Sequence, residues 1–151
     1  MPFKHLLSPS LTVVNHSGGS KKRTLEYISG IICDAAGNIP QEDIFDGLIE
    51  RERLGSTGIG EGVAIPHCRV ENLANVGAVF LKLEQPIDFD AIDGKKVDLI
   101  FSLVVPSNCC DEHLSTLAEL AQLFNSEDNR NALRACQSHD ELYQTLIKLG
   151  Q

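Results

Sequence analysis

No apolar run in this sequence approaches the roughly 20 residues that crossing a bilayer requires. The first residues, MPFKHLLSPSLTVV, are interrupted by Pro2, Pro9, two serines and His5. They lack the unbroken apolar stretch and the small-residue cleavage site of a secretory signal. The expected setting is therefore the cytoplasm, with no membrane insertion. Basic residues are scarce as well. Thirteen Lys and Arg face 21 Asp and Glu, the net charge is −8, and the one dense basic run is Lys21-Lys22-Arg23. Nucleic-acid binding calls for a basic patch facing phosphates, and this balance argues against one. A basic protein partner, steered in by charge, suits an acidic chain better. No C-x-x-C spacing occurs among Cys33, Cys68, Cys109, Cys110 and Cys136. Free thiols are the expected state in a reducing compartment. Cys109, Cys110 and His113 stand close enough to raise metal binding as the alternative, but no fourth ligand is evident nearby. No metal and no cofactor is expected.

What is present reads as one globular domain spanning residues 1–151, with 42% hydrophobic and 23% charged residues. Internal repeats, low-complexity tracts and linkers are missing. Residues 11–14 form a short β-prone run, and 16–20 (HSGGS) a turn. Ser20 caps an expected helix to Ala36, with Leu25, Ile28, Ile32 and Ala36 at helical spacing and Gly37 as its stop. Pro40 suits the first turn of a second helix that buries Ile44, Phe45, Leu48 and Ile49 and ends at Gly55. Two β-type runs follow, 76–83 and 97–105. The second is nearly all apolar, as in a strand covered on both faces. A helix over 111–124 turns Leu114, Leu117, Leu120, Ala121 and Phe124 inward, a short one covers 127–135, and a last one starts at a Ser138/Glu141 capping box. Strands mixed with helices in this way predict an α/β layered domain.

The chemistry concentrates in 55–69, GSTGIGEGVAIPHCR. Four glycines let the backbone approach a ligand, Ser56 and Thr57 add hydroxyls, and Pro66 stiffens the approach to His67. No lysine follows in the manner of G-x-x-x-x-G-K-S/T, and the G-x-G-x-G run lacks dinucleotide spacing, so nucleotide binding is a weak reading. These residues taken alone point either to an anion or phosphoryl site or to a glycine-rich turn with a hydrogen-bonded histidine.

The stretch from Arg51-Glu52 through Gly55-Ser56-Thr57-Gly58-Ile59-Gly60 to Ala64-Ile65-Pro66-His67 resembles the active-site signature of the fructose/mannitol-type enzyme IIA family of the phosphoenolpyruvate-dependent phosphotransferase system. The flanks 20–28, 86–106, 113–120 and 137–146 are most similar to its nitrogen-regulatory branch. The resemblance covers roughly residues 10–148. It implies a central mixed β-sheet flanked by helices on both faces. It implies phosphoryl acceptance at Nε2 of His67, with His113 beside it, Arg51 at the site edge, and Ser56 and Thr57 near the phosphoryl group. A phosphocarrier also needs a docking patch around its histidine, and the apolar residues Ile65, Val104, Val105 and Pro106 either border the site as that patch or, for Val104 and Val105 above all, belong to the ordinary core. Cys68 departs from the small residue, often glycine, that family members carry there, which suggests an oxidation-sensitive site. His5, His16 and His139 match nothing in the family pattern and are expected at the surface.

The implied function is a phosphocarrier loaded by an HPr-like protein, with regulatory protein targets that depend on its phosphorylation state. The alternatives are a sugar-transport enzyme IIA passing phosphate to a IIB domain, and a non-phosphorylated binding module that keeps the fold.

Overall fold

The computed structural model describes residues 2–108 and 112–150, so Cys109 and Cys110 lie outside the described residues. Their proposed metal cluster with His113 falls outside them too. Two 3-10 turns at Phe3–His5 and Pro9–Leu11 lead into β1 (Thr12–His16), α1 (Lys21–Ala36) and α2 (Gln41–Arg53). Three short strands follow, β2 (Gly58–Gly60), β3 (Val63–Ala64) and β4 (His67–Val70). Then come the long strands β5 (Gly77–Ile87) and β6 (Val97–Pro106), and the helices α3 (Glu112–Phe124), α4 (Glu127–Arg134) and α5 (His139–Leu149).

The sheet runs β1-β5-β6-β3-β2, and β4 pairs with β6 beyond β3. It is mixed: β5 and β6 are antiparallel, while β1 lies parallel to β5 and both β3 and β4 parallel to β6. β6 alternates between two cores, as the period of two in a strand dictates. Ile100 and Val104 join Leu25, Ile28 and Ile32 of α1 and Ile44 and Leu48 of α2 on one face. Leu99, Phe101, Leu103 and Val105 join Leu120, Phe124, Leu133 and Leu142 of the last three helices on the other. Phe101 centres that second core, edge-on to Phe3 at 5.9 Å and tilted against Phe80 at 6.0 Å. Each such ring contributes roughly 1.5–3 kcal/mol by leaving water.

The capping residues do what their chemistry predicts. Ser20 Oγ accepts from the Arg23 amide, and Gly37 closes α1 at φ 75°, a left-handed conformation that favours glycine. Ser138 Oγ accepts from the Glu141 amide, and Glu141 Oε1 accepts from the Gln137 amide at 2.7 Å.

Three expectations need correction. Pro40 precedes α2 as its N-cap rather than sitting in its first turn. The end of α2 is as expected: its last residue is Arg53, Leu54 is the C-cap, and Gly55 follows directly as the stop. Leu114 does not point inward: it is 54% exposed, on the outer face of α3. The glycine-rich segment holds three strands that its composition hides. β3 and β4 continue in one unbroken register along β6, from Val63 opposite Leu99 to Val70 opposite Pro106. They are one strand interrupted at Ile65-Pro66, where proline has no amide to give to the ladder. The Pro66 carbonyl still accepts from the Leu103 amide at 2.9 Å and the Ser102 hydroxyl at 3.0 Å.

Candidate functional site

His67 opens β4 just after that interruption, so it projects from a sheet strand and not from a loop. Its Nδ1 lies 2.7 Å from the Ile65 carbonyl. A carbonyl can only accept, so Nδ1 carries the proton and Nε2 is left with the lone pair whenever the ring is neutral. Burial holds the ring's pKa below the usual 6.5, and the Arg51 and His113 charges push the same way. The bond to Ile65 and the Glu52 charge partly oppose them. The net direction favours the neutral, nucleophilic ring.

His67, Arg51 and His113 line one cavity of about 570 Å³, with Arg69, Leu103 and Val105 in its wall. Arg51 enters from the last turn of α2 and donates Nη1–H to the Gly55 carbonyl at 2.9 Å, which ties its guanidinium to the start of the glycine-rich segment. His113 is nearly buried in the first turn of α3, where a helix carries partial positive charge. Arg69, overlooked in the sequence, shares the His67 side of β4 by the period-two rule and donates to the Ser107 carbonyl. The wall thus combines an imidazole whose Nε2 is bare with two arginines, a second histidine and the one carboxylate of Glu50, a set that can meet an anion.

The two hydroxyls bind inward. Ser56 Oγ donates to the Phe89 carbonyl at 2.6 Å and accepts from the Gly58 amide at 3.0 Å. Thr57 is buried, and its hydroxyl donates to the Glu52 carboxylate. A Cβ on Gly58 would stand 2.8 Å from that of Ala91, so glycine lets this loop lie flat against 89–91. Ile65 is 4% exposed and contributes its carbonyl. Val105 lines the cavity, whereas Val104 is fully buried against the α1–α2 side. The exposed apolar residue at the cavity is Leu54, 84% exposed, and Leu114 stands next to His113 in the chain.

Cys68 also lines the cavity, but burial pushes its thiol up to about 12. The thiolate is the form that attacks peroxide, so this shift works against the expected oxidation sensitivity, while the place of Cys68 in the cavity wall works for it. His5 and His139 lie at the surface, His139 bonding to the Thr12 carbonyl at 2.8 Å, while half-buried His16 stacks on Tyr27 at 3.6 Å. Among the described residues no group of three or more His, Cys, Asp and Glu could hold a metal. No helix among them is long and apolar enough to cross a membrane.

Residues 5–149 match the family model described as phosphoenolpyruvate-dependent sugar phosphotransferase system, EIIA 2. The chain belongs to this EIIA family. A relative named nitrogen regulatory protein, from Pseudomonas aeruginosa, is 41% identical over 145 residues, covering 96% of this chain and 94% of that one. The crystal structure of nitrogen regulatory protein IIA-Ntr from Neisseria meningitidis superposes with a TM-score of 0.90 at 38% identity, covering 95% and 98% of the two chains. The mannitol IIA of Escherichia coli, at 19% identity and a TM-score of 0.78 over 96% and 99%, shares the fold. An EIIA domain is a phosphotransfer component, and the mixed sheet with helices on both faces is its architecture.

Proposed function

We propose that the chain is a cytoplasmic phosphocarrier in which Nε2 of His67 accepts a phosphoryl group from an HPr-like protein, and that its phosphorylation state decides which regulatory proteins it binds. The observation carrying this reading is the Nδ1–H bond to the Ile65 carbonyl, which leaves Nε2 as the free base of a half-buried ring in a cationic cavity. In the transfer, the Nε2 lone pair forms the new bond to phosphorus. The bond from phosphorus to the donor side chain breaks, and its electron pair leaves with the donor. The imidazole becomes cationic, with its Nδ1–H still donating to the Ile65 carbonyl.

The cargo brings about two negative charges. Arg51 and His113 stand ready to balance them, each charge-assisted bond being worth about 1.5–3 kcal/mol. Ser56 and Thr57 contribute in this reading by shaping the loop behind the phosphoryl group. Exposed Leu54 and Leu114 form the apolar ground on which a partner settles, whereas Ile65 and Val105 are buried and take no direct part in it. The identity to nitrogen regulatory relatives favours the regulatory role over onward transfer to a sugar-specific IIB domain.

Incubation with phosphoenolpyruvate, enzyme I and HPr, read by intact mass, tests the reading. Wild type should gain one phosphoryl group, His67→Ala none, and His113→Ala should load about 10- to 100-fold more slowly. No gain in wild type would support a binding module instead. Rapid passage of the label to a IIB cysteine would support the transport role.

A further inference from the structure

Glu52 has no part in the reading above, yet both the loop and the nucleophile lead back to it. Its side chain is only 5% exposed, in the last turn of α2. Oε1 accepts from the Thr57 amide at 3.1 Å and pairs with Lys21 Nζ at 3.0 Å, while Oε2 accepts from the Thr57 hydroxyl. The Thr57 carbonyl accepts from the Ile65 amide at 3.0 Å, and the Ile65 carbonyl accepts from His67 Nδ1 at 2.7 Å. A buried carboxylate is therefore joined to the nucleophilic ring through two residues. Its far end is secured as well: Lys21, the first residue of α1, lies 4.9 Å from the centre of the Phe89 ring and 3.4 Å from Asp90.

We propose that Glu52 is a positioning residue, which fixes Thr57 and, through Ile65, determines which nitrogen of His67 bears the proton. The geometry stands by itself, and its catalytic consequence rests on the phosphocarrier reading. Without the carboxylate, the Thr57 amide and hydroxyl lose their acceptor. The Ile65 peptide is then free to turn, and its carbonyl leaves Nδ1. Both neutral tautomers become populated. A ring protonated at Nε2 has no lone pair there to offer phosphorus.

The test uses the full chain, unphosphorylated, as Glu52→Ala, Glu52→Gln and Thr57→Val, with the ring nitrogens of His67 followed by ¹⁵N NMR at pH 8. Wild type should show one protonated and one bare nitrogen signal. In Glu52→Ala the two signals should draw together, and in Glu52→Gln and Thr57→Val they should do so partially. Loading from HPr should slow by about 10- to 100-fold in Glu52→Ala, in the maximal rate and not in the HPr concentration giving half of it. Wild-type signals in any folded Glu52 variant overturn the proposal. If Glu52→Ala does not fold, Glu52→Gln and Thr57→Val are read by the same criterion. The nitrogen signals need no donor, so a wild type that fails to load would defeat the phosphocarrier reading and leave this one standing.

Discussion

The imidazole of His67 sits between influences of opposite sign, and each can be switched off separately. Burial, Arg51 and His113 lower its pKa, while Ile65 and Glu52 raise it. Its NMR titration midpoint should fall below 6.5, move up in Arg51→Met and move further down in Glu52→Gln. The same shift affects folding. The unfolded chain takes up a proton near pH 6.5, before the folded ring does, so stability is present above that pH and is lost as pH falls toward the folded pKa. Half-buried His16, also lowered by burial, adds to the loss. A urea-midpoint series from pH 8 to pH 5 should decline in wild type and decline less steeply in His67→Ala. Equal slopes would show that His67 ionises freely in the folded chain.

At the scale of elements, α2 and β4 approach closely at Gly47. A mid-helix glycine costs about 1 kcal/mol against alanine. Here a Cβ would stand 3.0 Å from Cys68 Sγ and 3.3 Å from Val70 Cγ2. Gly47→Ala should therefore destabilise by about 1 kcal/mol despite the gain in helix propensity, and should cost much less in a Cys68→Gly background. Denaturant melts of the four proteins measure this coupling, and a value near zero would mean the helix simply shifts away. The elements legible in the sequence were those with local signatures: α1 between Ser20 and Gly37, α5 behind Ser138 and Glu141, and the apolar run that became β6. β2, β3 and β4 were not legible, because strands of two to four residues among glycines owe their form to partners: β3 and β4 to β6, about 36 residues further on, and β2 to β3. Periodicity placed Leu114 on the apolar stripe of α3 but could not tell whether the chain itself covers that stripe. Within the site, the family-like motif pointed to His67, Arg51 and His113, which line one cavity. Glu52 looked like any helix-end charge, since its importance lies in bonds to Thr57 and Lys21 that no local spacing reveals.

Across the whole molecule, two cores hold one sheet between them, and β4, the strand that carries His67, pairs with β6 alone among the described strands, so its other side is an open edge. The His67 ring is thus anchored to the sheet through β6 while it stays beside an edge that a visiting partner can reach. At Pro66 the β3–β4 strand gives up a rung, and the Ile65 oxygen turns to the imidazole instead of to another peptide. The sheet and the His67 cavity therefore share a backbone segment. A phosphorylated, cationic ring pulls harder on that oxygen, so deuterium uptake at the amides of Ile65 and Leu103 should slow on loading while α5 exchanges as before. A protein that grips this edge could sense whether the carrier is full without ever touching phosphorus.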